Sequence, residues 1–331
     1  MQVHASAPTR VDLAGGTLDI WPLYLLHENA QTLNAAITIR AECRLTPSAD
    51  GRLRIIAEDT GARVEAACWS ELEETAGSRL VVRILRFFRA AGLTVATRSA
   101  APVGAGLAGS SALNIALCAA LARWQDRRLA GESLIDLALN LEAQVLGVPT
   151  GGQDYRPATY GGIAALEMGP HGVSRAPLDV DNEALASRMV LAYTEQSRDS
   201  GINNWEVTKR RIDGDPLVAS LFDDIRDVAL GLRQALETAR WDDVARHVAL
   251  EWDLRKRLAP GVTTAVLEEL IRCGRQAGAQ AAKVCGAGGG GCLLFLAPPD
   301  RAATVRGALA EAGARVLDCR IDTRGLQIRV A

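Results

Sequence analysis

The segment Pro102-Val-Gly-Ala-Gly-Leu-Ala-Gly-Ser-Ser-Ala112 runs directly into a helical stretch, Ser110–Trp124. Glycines at 104, 106 and 109 let the backbone approach a ligand closely, and the helix start leaves N–H groups pointing outward. A phosphate chain suits such a site, and the hydroxyls of Ser110 and Ser111 offer either a helix cap or a metal ligand. A plain N-cap after a flexible loop is the alternative. The loop also matches G-x-G-x-x-G. A dinucleotide site, however, wants an acid at the end of the next strand, and Asp126 lies just beyond a helix. A Walker loop needs Lys before the hydroxyl residue, where this chain has Gly109.

Two further glycine-rich loops accompany it. Lys283-Val-Cys-Gly-Ala-Gly-Gly-Gly-Gly-Cys292 is denser, but the CLLFLA that follows reads as a strand, so no helix terminus receives a pyrophosphate. Its six residues with five glycines exceed what a hairpin needs, which points to a close approach to a ligand or to the first loop. The third loop, Ala14-Gly-Gly-Thr-Leu-Asp19, follows a strand and sets an Asp just beyond it.

Around these loops the chain has 331 residues, 48% of them apolar and 23% charged, which excludes disordered, collagen-like and coiled-coil classes. That length favours two packed domains. With 37 Lys+Arg and 39 Asp+Glu the net charge is −2, so no broad attraction to nucleic acid or an anionic membrane is expected. Seven cysteines, none spaced C-x-x-C, read as reduced thiols in a cytoplasm rather than a disulfide framework. The four histidines show no metal-ligand spacing. The N-terminus lacks a signal-peptide core, and the apolar stretch around Ala112–Ala122 contains Asn114 and is too short to span a bilayer.

Periodicity predicts strands at Val3–Ala5, Arg10–Leu13, Leu33–Leu45, Leu53–Ala57, Val190–Thr194, Ala281–Val284, Cys292–Ala297 and Leu326–Val330. Helices are expected at Leu80–Ala91, Ser110–Trp124, Ser133–Leu146, from about Pro216 to Arg257, at Val262–Ala277 and near Arg301–Ala312. Ser133 with Asp136 reads as a capping box, and Gly147 as a C-cap. Without regular crossover helices between strands, the chain reads as α+β rather than doubly wound. The tail approaches a split β-α-β pattern. A boundary near Pro177–Ala186 divides the chain into residues 1–180 and 181–331.

In order along the chain, Ala7–Gly16, Pro102–Ala112 and Lys283–Cys292 resemble the three motifs of the GHMP kinases (galactokinase, homoserine kinase, mevalonate kinase and phosphomevalonate kinase). Within that family, Gly151-Gly-Gln-Asp-Tyr-Arg-Pro-Ala-Thr-Tyr-Gly-Gly162, Ala14–Asp19, Leu33–Ile37 and Ser197-Arg-Asp-Ser200 resemble segments of the heptose-phosphate and fucose sugar kinases. Thr17 replaces a glycine of the first loop, and Ala108-Gly109 stands where the family usually has Gly-Ser. The resemblance implies a ribosomal-S5-like N-terminal domain packed on a ferredoxin-like C-terminal domain, with the active site between them.

It also implies roles. Asp154 matches the catalytic aspartate, which orients the acceptor hydroxyl and takes its proton, and Arg10 supplies positive charge beside it. ATP is expected on Pro102, Gly104, Ala105, Gly106, Leu107, Ala108, Gly109, Ser110 and Ser111, with Gly288 of the third motif. Glu142, a carboxylate among apolar helix neighbours, is costly unless paired or metal-bound. The resemblance makes it a Mg2+ ligand together with Ser110, or with Ser111 instead. Asp19, Gly16 and Gly152 are expected to face the sugar. Arg198 either binds a substrate phosphate or is a solvated charge. Trp205, Trp241 and Trp252 read as core or interface.

The expectation is therefore a cytoplasmic, MgATP-dependent kinase of a sugar or sugar phosphate, monomeric or homodimeric, with no nucleic-acid or membrane partner. Another GHMP acceptor (mevalonate, homoserine, galactose or a uronic acid) and a non-catalytic sensor on the same fold are the rivals. Presence of Arg10, Ser110, Glu142 and Asp154 together favours the enzyme. A dehydrogenase is disfavoured by the loop contexts.

Overall fold

A computed structural model describes residues 1–75, 77–196 and 201–331. β1 (Val3–Ala14), β2 (Gln31–Pro47), β3 (Leu53–Ala57), β4 (Arg63–Ala66) and β5 (Leu93–Ser99) build most of an eight-stranded sheet. β6 (Ile163–Gly169) pairs with the first half of β2, and β7 (Gly172–Pro177) pairs with β6. β8 (Met189–Tyr193), β9 (Ala281–Val284), β10 (Cys292–Leu296) and β11 (Arg315–Leu317) form a second, antiparallel sheet in the order β11-β8-β10-β9. The last strand, β12 (Gln327–Val330), returns to the first sheet beside β1, giving the order β12-β1-β2-β5-β3-β4.

The first two strands expected from the sequence are one. Pro8 cannot donate to the ladder, and a register shift between Pro8 and Thr9 lets β1 continue past it: Pro8 faces Arg40, while Thr9 faces Ile37. The irregularity lies two residues before Arg10. From Arg10 to Ala14 every residue of the strand is buried. A strand buried on both faces can carry charged side chains only where they are paired, and Arg10 and Asp12 are.

α1 (Arg79–Phe88), α2 (Gly109–Trp124) and α3 (Glu132–Leu146) cover one part of the first sheet. α2 buries residues on all sides, among them Ala112, Ile115, Leu117 and Leu121, so it is a central helix rather than an amphipathic surface one. Buried Asn114 donates to the Ala138 carbonyl of α3 at 2.7 Å, pinning the helix that starts at the first glycine loop. No capping box opens α3. The helix begins one residue earlier than expected, Gly131 stands at the N-cap, and the Ser133 hydroxyl donates to the Ala130 carbonyl. Gly147 does close it, at φ +68°.

α4 (Tyr155–Tyr160) and α5 (Asn182–Ala186) are short. α6 (Gly201–Ile212), which the sequence reading missed, precedes the stretch expected from about Pro216 to Arg257, and that stretch is two helices, α7 (Pro216–Glu237) and α8 (Trp241–Arg255). Ala239, at φ +52°, breaks α7 from α8. α9 (Ala265–Gln276) and α10 (Ala302–Glu311) pack with Phe295 and Leu293 of the second sheet. Leu326–Val330, expected to complete the split β-α-β tail, belongs to the other sheet; β11, which follows α10 and pairs with β8, takes its place in the second sheet. Among the described residues no helix is long and apolar enough to cross a membrane. Cys43, Cys68, Cys118, Cys273 and Cys319 carry free thiols.

Candidate active site

A cavity of about 790 Å3 lies where the glycine loops converge. One side is the run from Ala101 to Ser111, so every expected loop residue from Pro102 to Ser111 lines it. α2 starts after Ala108 without a side-chain cap, which leaves its first-turn N–H groups available to an anion. Beyond the loop the wall turns apolar, with Leu80, Val81, Leu113 and Leu146, a surface suited to a flat ring.

Arg10 and Asp154 meet at the centre. Asp154 Oδ1 accepts from Arg10 Nε at 2.9 Å and from Nη2 at 2.5 Å, and Arg10 Nη1 donates to the Gly106 carbonyl at 2.8 Å. One guanidinium thus ties the first glycine loop to the carboxylate that ends the GGQD turn. Its proton is held more tightly than usual: burial opposes this most strongly, and the charges of Asp154 and Asp12, with the hydrogen bond to Asp154, together outweigh the burial.

Glu142 of α3 is only 6% exposed. Ser110 Oγ donates to its Oε1 at 2.6 Å and the Tyr155 hydroxyl to its Oε2 at 2.8 Å. Burial pushes its pKa up, although both hydroxyls oppose the shift. A buried carboxylate beside an exposed serine hydroxyl at the mouth of an anion site fits a hard cation, which would restore its charge. Among the described residues no group of three or more His, Cys, Asp or Glu could hold a metal unaided, so such a cation would take its remaining ligands from phosphates and water. Ser111 is buried and Ser110 exposed, which makes Ser110 the serine open to the cavity.

Asp19 also lines the cavity, with Gln153 N–H donating to its Oδ2 at 3.0 Å. Burial pushes its pKa up to about 6. A side chain at Gly151 would collide with this carboxylate, which explains the first glycine of the GGQD turn.

Three expected residues fall outside the wall. Gly288 packs against Val262 instead of facing a nucleotide, and a Cβ there would lie 2.5 Å from the Val262 carbonyl oxygen. From the third loop, Gly286 and Ala287 line the cavity. Gly16 gives its carbonyl to Arg255 Nη2 at 3.0 Å, and Gly152 gives its N–H to the Asp19 carbonyl at 3.4 Å. Arg198 lies outside the described residues. Of the tryptophans, Trp252 is buried as expected.

Sequence reasoning missed Thr17, Gln153, Asn204 and Arg255, which also line the cavity, and Tyr155, which holds Glu142. It also missed a buried ionic chain behind the site. Lys283 Nζ donates to Asp12 Oδ2 at 2.8 Å and lies 3.1 Å from Glu251 Oε2, all three side chains fully buried. Glu251 pairs in turn with Arg255, and Gly286 N–H donates to Asp12 Oδ1 at 2.9 Å. The third loop is thereby locked onto β1. It also presses on the first loop, because Cys292 N–H donates to the Ala105 carbonyl at 2.8 Å.

Comparisons with known proteins agree with this geometry. The model described as "GHMP kinases N terminal domain" matches residues 79–162, and "GHMP kinases C terminal" matches residues 232–315. The chain is 28% identical to a D-glycero-alpha-D-manno-heptose 7-phosphate kinase of Campylobacter jejuni, over 98% of each chain. It is 27% identical to a mevalonate kinase of Thermococcus sibiricus, over 99% of this chain and 98% of the relative. Among solved structures, a D-glycero-D-manno-heptose 1-phosphate kinase from Bacteriodes thetaiotaomicron superposes with a TM-score of 0.80 at 26% identity, covering 99% of each chain.

Proposed function

Because this chain belongs to the GHMP kinases, we propose that it transfers the γ-phosphoryl group of ATP to a hydroxyl of a sugar phosphate, with a heptose phosphate as the acceptor class. The observation that carries the reading is the Arg10–Asp154 pair, set between the anion-binding helix start and Asp19. A sensor that had lost catalysis would have no need of all four groups, Arg10, Ser110, Glu142 and Asp154.

MgATP bound in the cavity supplies the phosphoryl group, with the metal neutralising its charge. The N–H groups from Gly106 to Ser111 hold phosphate oxygens. Ser110 and Glu142 would hold Mg2+. Asp19 accepts hydrogen bonds from acceptor hydroxyls and fixes their orientation. Asp154 orients the reacting hydroxyl and takes its proton at a carboxylate oxygen as the new O–P bond forms. Arg10 keeps Asp154 aligned and places positive charge where the transferred group passes. The division into residues 1–180 and 181–331 belongs to this proposal, with β12 lent by the second part to the first sheet. So does a cytoplasmic setting, which the free thiols support.

The test is ADP release with MgATP against D-glycero-D-manno-heptose 7-phosphate and 1-phosphate, fucose, galactose, uronic acids, mevalonate and homoserine. Turnover on a heptose phosphate, abolished by EDTA and restored by Mg2+, is expected. Preference for mevalonate or homoserine would replace the acceptor class while keeping the chemistry. ATP binding without ADP release on any acceptor would favour the sensor.

A further inference from the structure

Thr17 is a β-branched residue at φ +76°, a conformation such side chains rarely adopt, and it stands where the resembling sugar kinases have glycine. Strain of this kind persists only where the surroundings over-determine it, and it gathers at ligand sites. Here two helices of the second half impose it. The Thr17 hydroxyl donates to Asn204 Oδ1 of α6 at 3.3 Å and accepts from Arg255 Nη1 of α8 at 3.3 Å. Arg255 is itself committed: Nε donates to Glu251 Oε1 at 2.9 Å, and Nη2 to the Gly16 carbonyl. Glu251 matches its charge, so Arg255 offers little to an anionic ligand.

Across Gly16 stands Gln153, 8% exposed and part of the cavity wall, whose Oε1 is buried and whose Nε2 bonds to none of the described residues. Both surround Gly16, where a Cβ would lie 2.8 Å from Arg255 Nη2 and 3.2 Å from Gln153 Nε2. The patch both accepts and donates. Thr17 has spent its proton on Asn204 and one lone pair on Arg255, leaving a lone pair. The Asp19 carboxylate accepts, and Gln153 Nε2 donates. Such a wall pairs with hydroxyls, which donate and accept at once, and Asp19 repels phosphate and carboxylate.

We propose that Thr17 and Gln153 are specificity-determining residues, Thr17 accepting a hydrogen bond from one hydroxyl on an uncharged face of the acceptor and Gln153 Nε2 donating to a neighbouring one, with Arg255 and Asn204 as positioning residues. Any phosphate on the acceptor then lies away from this patch. The inference rests on the kinase reading above and deepens it.

The test uses full-length enzyme, MgATP, D-glycero-D-manno-heptose 7-phosphate and its series of monodeoxy analogues. Thr17→Val keeps the branched shape and loses the hydroxyl, and is expected to raise acceptor KM by about tenfold, the weight of one neutral hydrogen bond. ATP KM should move far less. Thr17→Ser should restore acceptor KM to near the parent value. One monodeoxy analogue should show no difference between parent and Thr17→Val, since it lacks the hydroxyl that is read. Gln153→Met should behave likewise toward a second analogue, and carries the test if Thr17→Val does not fold. An unchanged acceptor KM in both variants, or a loss equal on every analogue, overturns the inference and leaves the kinase standing. A parent enzyme inactive on every sugar while active on mevalonate or homoserine overturns the acceptor class and the inference together.

Discussion

Arg10 places two of its nitrogens on the same oxygen of Asp154, Oδ1, across 144 positions of sequence, and the described residues donate nothing to Oδ2. The ion pair therefore fixes the carboxylate and leaves one oxygen to receive a proton. Asp154→Asn keeps shape but cannot take that proton. General base catalysis contributes ~10²–10⁴-fold, so kcat should fall by about that factor, with acceptor and ATP affinities nearly unchanged. Arg10→Met should also slow turnover, and the double variant should lose less than the product of the single losses. A folded Asp154→Asn enzyme within about threefold of the parent rate would remove Asp154 as the base, since even the low end of the expected range is larger.

Asp19 sets the pH behaviour. Burial lifts its pKa from 3.8 to about 6; the Gln153 N–H opposes the rise and the Asp154 charge adds to it. The folded protein keeps this proton up to about pH 6, whereas the unfolded chain loses it near pH 3.8. Stability should consequently fall as pH rises between those values, by about 3 kcal/mol from this group. Acceptor binding should move the other way, because the ionised carboxylate is the better hydrogen-bond acceptor. Acceptor kcat/KM should rise through about pH 6. Urea melts and kinetics of Asp19→Asn between pH 4 and 8 check both: the stability slope flattens and the kinetic limb disappears.

Lys283 holds the domains' shared charges. Removing it as Lys283→Met leaves the buried Asp12 and Glu251 carboxylates with only Arg10 and Arg255 as counter-charges. Breaking one partner of a buried ionic group typically costs ~3–5 kcal/mol, so a large drop in the denaturation midpoint is expected. Burial alone would raise the Asp12 pKa, but Lys283, then Arg10 and Arg255, hold it at about 2. That contribution is present above its ordinary 3.8 and is lost as pH falls toward 2. The acid arm of the stability curve should be shallower in Lys283→Met.

Local signals made one part of the cavity wall legible and left much of the rest hidden. Pro102–Ser111, Arg10 and Asp154 sit in compact motifs, Glu142 stands out as a carboxylate among apolar helix neighbours, and the structure brings them together. Arg255 carries no such mark. It ends a helix with Glu251 four residues before, a spacing shared by many solvated pairs, and only the fold buries both. Asn204 lies on α6, a polar helix without a clear stripe. β6 was missed for a related reason: Ile163-Ala-Ala-Leu-Glu-Met-Gly169 has neither alternation nor a run of β-branched residues, and it becomes a strand by pairing with β2. Gly288 was misplaced because a dense glycine run does not reveal which members face a ligand and which face protein.

Glu142→Gln tests the cation. The variant keeps the shape and one accepting oxygen, so one of the Ser110 and Tyr155 hydroxyls must turn to accept from the new amide N–H, and it removes the charge. The Mg2+ concentration for half-maximal rate should rise by an order of magnitude, and kcat should fall. The buried carboxylate no longer has to ionise, so stability at neutral pH should hold or increase, as the upward pKa shift requires. An unchanged Mg2+ titration would make Glu142 a structural partner of Tyr155 alone.

Gly291 decides whether the third loop buttresses the first. At φ +84° a Cβ on Gly291 would lie 2.7 Å from the Ala105 carbonyl oxygen and 2.8 Å from that of Gly104, both in the phosphate loop. These are backbone atoms, so relief requires moving the loop. Gly313, at φ +89° with open space around it, carries the same backbone penalty without that contact. Alanine at either position should cost ~1–2 kcal/mol of stability through the left-handed conformation. Only Gly291→Ala should also raise the KM for ATP, by about tenfold for a displacement of a few tenths of an ångström or more in the oriented N–H groups. Acceptor KM should change little in both, since a Cβ at neither position would meet Asp19 or Thr17. Equal ATP affinities in the two variants, measured by calorimetry, would show that the first loop keeps its shape without the third.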